Sequence, residues 1–135
     1  MKKIIYCSIN GRSKRVAKLF ENQHDVRNSP TLDSEFIIFI CPTYGDAELP
    51  LLMEEYLLKI KVKNKLYTTV ELGNYYGYDD FTFGAKKIIK NHLSTLNWIE
   101  FFPSLSLDSM PKIDLKTFFS WKSQVEDAIK NIIAK

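Results

Sequence analysis

Three short stretches carry side chains and glycines arranged for chemistry. The first is Ser8-Ile9-Asn10-Gly11-Arg12-Ser13. Hydroxyl and amide groups crowd around one glycine, and a helical pattern begins directly afterwards. Backbone N–H groups at a helix start point outward, and the helix dipole favours an anion there. A phosphate monoester suits this loop. The hydroxyls of Ser8 and Ser13 and the amide of Asn10 would donate, Gly11 would permit close approach, and Arg12 would add charge. The same composition also makes a plain capped turn, so the loop alone leaves both readings open.

The second stretch is Pro42-Thr43-Tyr44-Gly45-Asp46-Ala47-Glu48-Leu49-Pro50, where an aromatic beside a glycine offers a flat wall and a flexible peptide. The third is Leu72-Gly73-Asn74-Tyr75-Tyr76-Gly77-Tyr78-Asp79-Asp80-Phe81. Tyrosines packed this densely on a loop are costly to leave in water without a purpose, the alternative being a satellite hydrophobic cluster beneath it. Together the stretches describe an aromatic slot with an anion pocket at one end. A flat heteroaromatic ring carrying a phosphate would fill it.

These loops need a scaffold, and the chain supplies alternating β-rich runs and amphipathic segments. Lys3 to Ser8 reads as a buried strand. Ser13 caps a helix with Val16, Leu19, Phe20 and Gln23 on one face. His24 to Asn28 suggests a short second strand. Glu35 to Cys41 is the strongest strand, apolar on both faces as a central parallel strand must be. Pro50 suits the first turn of a helix carrying Leu52, Tyr56, Leu57 and Ile60. A fourth strand follows at Leu66 to Leu72, and a helix with Phe81, Ala85, Ile88, Ile89, His92 and Leu96 at its spacing. Trp98 to Leu107 supplies a fifth strand, broken near Pro103. The last helix runs from about Asp114, with Phe118, Trp121, Val125, Ile129 and Ile132 inward. Strands alternating with helices predict an α/β fold, a doubly wound five-stranded parallel sheet with helices on both faces. Residues 24–34 are too few for a full crossover helix plus a strand, so that helix should be missing or a single turn. In such sheets ligands bind beyond the carboxyl ends of the strands, where strand order reverses. The three loops fall after strands one, three and four.

Composition narrows the function. A chain of 135 residues fits one domain spanning 1–135, and at this size roughly 68% of the unfolded surface is buried on folding. With 45% hydrophobic and 26% charged residues it is neither disordered nor fibrous. The longest uncharged apolar stretch, Phe36 to Pro42, is too short for a bilayer helix, and no leader with a cleavage site follows Met1-Lys2-Lys3. The expectation is a cytoplasmic protein without a membrane partner. The balance of 19 basic and 16 acidic residues gives +3. Lys59, Lys61, Lys63 and Lys65 form the nearest basic run, better read as a solubilising turn than as a nucleic-acid interface. His24 and His92 are isolated. Cys7 and Cys41 form no metal motif or disulfide framework, and fall near the ends of strands that should be neighbours, where they read as small buried hydrophobes. A receiver-type phosphotransfer site would need an acidic residue where Cys41-Pro42 stands.

The three loops in order resemble those of the flavodoxin family. Ser8, Asn10, Gly11, Arg12 and Ser13 stand in register with its Thr-x-Thr-Gly-Asn-Thr phosphate loop. Pro42-Thr43-Tyr44-Gly45-Asp46 resembles the loop whose aromatic covers one flavin face. Gly73-Asn74-Tyr75-Tyr76-Gly77-Tyr78-Asp79-Asp80 resembles Gly-Asp-x-x-Gly-Tyr-x-Asp. The resemblance covers nearly the whole chain and implies a flavodoxin-like sheet in the order 2-1-3-4-5. It also implies FMN as cofactor and low-potential one-electron transfer between a flavin reductase and an acceptor enzyme, with no catalytic residues and no metal. The binding set it implies is Ser8, Asn10, Gly11, Arg12, Ser13, Pro42, Thr43, Tyr44, Gly45, Leu72, Gly73, Asn74, Tyr76, Gly77, Tyr78 and Asp79. Tyr78 would stack on the flavin, and the Gly45 peptide would turn to meet the ring nitrogen N5. The protein would act as a monomer, docking redox partners through the acidic rim of Asp46, Glu48, Asp79 and Asp80. Arg12 and Asn74 depart from the family's usual Asn and Asp, and the positive charge departs from its acidic norm. The compact chain and the Gly73-Asn74-Tyr75-Tyr76 run also resemble the flavodoxin-like activator of class Ib ribonucleotide reductase, whose target would be a dimanganese site.

Overall fold

The computed structural model describes residues 2–43, 49–73, 84–109 and 112–134. The strands are β1 (Lys2–Tyr6), β2 (Gln23–Asp25), β3 (Phe36–Pro42), β4 (Leu66–Gly73), β5 (Ile99–Glu100) and β6 (Leu105–Asp108). The helices are α1 (Arg12–Ala17), α2 (Leu51–Leu58), α3 (Ala85–Ser94) and α4 (Leu115–Ala134). All strand pairs are parallel, in the order β2-β1-β3-β4, with the fifth position shared by β5 and β6 on the same edge of β4.

β3 lies at the centre because its sequence fits nowhere else. Phe36 through Cys41 are all fully buried, so both faces of the strand must be covered. On one face Ile5, Ile37, Phe39 and Tyr67 meet Met53 and Leu57 of α2 and Ile89 and Leu93 of α3. On the other, Ile4, Ile38, Ile40 and Leu72 meet Val16 of α1 and Phe118, Trp121 and Val125 of α4. Edge-on aromatic pairs tighten this second layer, among them Phe20 and Phe118 at 5.7 Å, each contributing about 0.5–1.5 kcal/mol beyond area burial.

The β2–β3 connection has no crossover helix, only a 3₁₀ turn at Val26–Asn28 capped by Asp25, whose Oδ1 accepts from the Arg27 N–H at 3.0 Å. This is the short connection that the residue count required. Residues 29–35 then cross the surface as a strap. Tyr56 Oη donates to the Pro30 carbonyl at 2.6 Å, Lys3 Nζ to the Thr31 carbonyl at 2.7 Å, and Lys65 Nζ to the Ser34 carbonyl at 2.9 Å.

The fifth strand is interrupted where Pro103 foretold it. Between the Tyr67–Glu100 and Val70–Leu105 pairs, β4 advances three residues and the edge five, so two residues bulge out. The orphaned ladder groups find other partners. Ser104 Oγ accepts from the Thr69 N–H at 3.1 Å, and the Thr68 hydroxyl donates to the Phe102 carbonyl at 2.8 Å.

Several helix expectations are corrected. α1 starts after Gly11 and ends at Ala17, so Gln23 opens β2 instead of sharing the helix face, and Leu19 is 37% exposed. Pro50 caps α2 from outside, and Met53 is buried where Leu52 was expected. In α3 the buried stripe is Ala85, Ile89 and Leu93, with Ile88 and His92 half-buried. Ile132 of α4 lies partly exposed. Phe81 lies outside the described residues.

Candidate functional site

β1, β3 and β4 end side by side. Tyr6 pairs with Ile40, and Pro42 with Leu72. The Cys7 N–H donates to the Ile40 carbonyl at 3.0 Å, and the Thr43 N–H to the Leu72 carbonyl at 2.9 Å. Ser8, Thr43 and Gly73 therefore leave the sheet from neighbouring strands at one edge. The strand order reverses between β1 and β3, which is where an open α/β sheet leaves a crevice.

The first loop closes on itself. Ser8 Oγ accepts from the Gly11 N–H at 3.0 Å, and Asn10 Oδ1 from the Arg12 N–H at 3.2 Å. Gly11 takes φ +89°, and a Cβ built there would meet no atom within 4 Å. Its glycine is thus required by backbone conformation and not by crowding. Ser13 was expected to cap α1, but Gly11 occupies the cap position and no side chain caps the helix. The N–H groups that a Ser13 cap would serve lie further on, while those of Gly11 and Arg12 are already met by Ser8 and Asn10. Ser13 is instead turned inward at 1% exposure, and its Oγ is buried with no hydrogen-bond partner among the described residues. Thr43 Oγ1 is likewise buried and partnerless. A third such hydroxyl, Thr69 Oγ1, lies in mid-strand on β4, away from this edge. A buried hydroxyl left unpaired costs about 1–3 kcal/mol, so two at one strand edge fit a ligand that supplies the acceptors.

The third stretch begins in β4. Leu72 is buried against the α1–α4 layer, and the Gly73 carbonyl accepts from the N–H (2.9 Å) and Oγ (3.1 Å) of Ser109. Tyr44, Gly45, Asn74, Tyr76, Gly77, Tyr78 and Asp79 lie outside the described residues, as do Asp46, Glu48 and Asp80. The residues brought together at this edge are Ser8, Asn10, Gly11, Arg12, Ser13, Pro42, Thr43, Leu72 and Gly73.

One residue of this region escaped the sequence reading. Glu71 is fully buried one layer below the strand ends, where it pairs in register with Cys41 on β3 and Ser106 on β6. Its Oε1 accepts from the Lys86 N–H at 3.0 Å, its Oε2 accepts from the Ser106 hydroxyl, and the Lys86 ammonium stands 3.9 Å away. A buried carboxylate is tolerated only when paired and hydrogen-bonded, and here the first turn of α3 meets it. Glu71 thus ties the end of β4 to the start of α3, the two ends of the third loop. The sequence signal was a carboxylate inside an otherwise apolar strand.

Cys7 and Cys41 do come together, as free buried thiols on the same face. Hydrogen bonding with Cys41 draws the Cys7 thiol below its ordinary value, while burial pushes the Cys41 thiol well up. Among the described residues no group of histidines, cysteines and carboxylates could hold a metal ion. Nor is any helix among them long and apolar enough to cross a membrane.

No protein-family model and no curated protein sequence matches the chain. Solved structures do. A point mutant of flavodoxin from Pseudomonas aeruginosa superposes with a TM-score of 0.75 at 20% identity, over 96% of this chain and 99% of that one. Oxidised flavodoxin 2 from Bacillus cereus gives 0.64 at 22% identity, over 79% and 83%. The Fusobacterium nucleatum flavodoxin bound to flavin mononucleotide gives 0.59 at 17% identity, over 81% and 71%. At these identities the likeness speaks for architecture, and with the parallel order 2-1-3-4-5 it establishes that the chain has the flavodoxin-like fold.

Proposed function

We propose that this chain binds FMN at the carboxyl edge of β1, β3 and β4 and carries single electrons between redox proteins of the cytoplasm. The observation that carries the reading is a pair of buried hydroxyls with no partner among the described residues, Ser13 Oγ in the first turn of α1 and Thr43 Oγ1 just after β3, on the two connections that flank the switch point. The fold shared with flavodoxins, one of them bound to flavin mononucleotide, supports it.

In this reading Ser8, Asn10, Gly11, Arg12 and Ser13 hold the phosphate. The Asn10 amide and the Ser13 hydroxyl donate, and the Arg12 guanidinium offsets its charge. Pro42, Thr43, Tyr44 and Gly45 would form one wall of the ring slot, and Gly73, Asn74, Tyr76, Gly77, Tyr78 and Asp79 the other, continuing from Leu72, whose own side chain is buried in the core. FMN would supply the redox chemistry, and the protein would supply orientation and electrostatics. Aromatic side chains in these stretches would exclude water, and the carboxylates of Asp46, Glu48, Asp79 and Asp80 would oppose added negative charge, both of which would lower the potential of the second electron. The chain then acts as a monomeric carrier, with a flavin reductase as donor and an acceptor enzyme downstream, and not as an enzyme itself.

The test is titration of the purified protein with FMN, followed by stepwise reduction without oxygen. One FMN per chain, reduced in two well-separated one-electron steps, is the expected result. FMN reduced in a single unresolved step would favour the reductase-activator reading, and no binding of FMN would overturn both.

A further inference from the structure

Between Ile9 and Phe20 the chain has four cations, Arg12, Lys14, Arg15 and Lys18, and no carboxylate. The helix sorts them cleanly. Ser13, Val16, Ala17 and Phe20 turn inward and are buried, so the cations share the outward side, with Lys14, Arg15 and Lys18 exposed and Arg12 half-buried. Arg27 joins them from the turn after β2, its Nη2 3.4 Å from the Ser8 carbonyl. None of these five forms an ion pair with a described residue. Ile9, 51% exposed, stands at the tip of the same loop.

We infer that the outward face of α1, with Arg27 beside it and Ile9 at its end, docks an acidic protein surface. Like charges with no ion-pair partner among the described residues repel one another across one short helix, and they steer and orient an oppositely charged partner. An exposed aliphatic side chain within a polar ring is the usual anatomy of a small protein interface. Single-stranded nucleic acid is held by stacking on aromatic side chains, and among the described residues the patch exposes none. A bilayer would need more than one apolar side chain. That the partner is a redox protein rests on the function proposed above, but the preference for acid does not.

The test uses the full chain and an immobilised poly-L-glutamate peptide of about 20 residues, a readout independent of flavin. Binding should weaken steeply between about 20 and about 300 mM salt. The double variant R15E/K18E should lose about tenfold in affinity, while K59E/K61E, at the amino ends of the strands, should change it by less than about twofold. Circular dichroism confirms that both variants fold. Equal losses in the two variants would overturn the inference, because net charge alone would then explain binding. So would absence of binding, or tighter binding to single-stranded oligothymidine or to phosphatidylserine-containing vesicles. Failure to bind FMN would sink the carrier reading and leave this result standing.

Discussion

The strap at residues 29–35 and the loop at residues 8–13 are both connections of the same sheet, yet their hydrogen bonds are organised in opposite ways. The strap is held from outside. Tyr56, Lys3 and Lys65 reach carbonyls 26, 28 and 31 residues away in sequence. The loop is held mainly from within, by Ser8 and Asn10 accepting from N–H groups three and two residues on, with one longer bond from Arg27 to the Ser8 carbonyl at 3.4 Å. A strap so tied substitutes for the missing crossover helix and contributes to stability. A loop that satisfies itself locally keeps its shape while leaving other polar atoms free for a ligand. The contrast separates residues that should change folding from residues that should change binding.

Lys3 offers the strongest way to break it. Lys3→Met removes both bonds to Thr31 from a nearly buried ammonium, and should lower stability in urea by about 2 kcal/mol. FMN affinity should stay within about twofold, since Lys3 lies far from the strand ends that hold the site. A parallel loss of affinity would show that strap and site are coupled. Gly11→Ala is the converse probe. With no neighbour to clash, its cost comes from the left-handed backbone alone, about 1–2 kcal/mol, and it should weaken FMN binding as well.

Tyr56→Phe should cost about 1 kcal/mol by urea denaturation at neutral pH. Burial raises the Tyr56 hydroxyl to about 12 from its ordinary 10. Because the folded value is the higher, the stabilisation is complete below pH 10 and is lost as pH rises through about 12, when the phenolate can no longer donate to Pro30. The gap between wild type and Tyr56→Phe should therefore close across that window, and a constant gap would mean the bond contributes little. Ser8→Ala is expected to have the smallest effect on stability, about 0.5 kcal/mol at an exposed turn, but it should still loosen FMN binding severalfold. If it leaves binding untouched, Ser8 belongs to the turn and not to the site.

The same contrast marks what could be read from sequence. β3 was legible because burial on both faces demands an uninterrupted apolar run, and the break in the fifth strand because proline cannot serve a ladder. The strap was not legible. Its anchors end mostly on backbone carbonyls, which every residue possesses and no residue type announces, and the Lys3–Asp33 ion pair that joins them spans 30 residues without a local signal. The role of Ser13 was misread because a serine before a helical pattern usually caps it, whereas Gly11 already made the turn. Glu71 could have been found, since a carboxylate within Thr-Thr-Val-Glu-Leu must have a buried partner or leave the core. The Cys7–Cys41 pairing followed from strand order alone.

The bulge at Phe101–Ser104 bears on how the molecule behaves in a crowd of its own copies. A parallel sheet has two open edges, and an exposed edge is a template on which another chain can add a strand. Here one edge is β2, three residues long, and the other is split into pieces of two and four residues. Neither presents a run long enough to nucleate a β-aggregate. The ladder bonds forgone at the bulge thus act as protection against self-association, and a deletion that straightened the fifth strand would be expected to cost solubility before it cost fold.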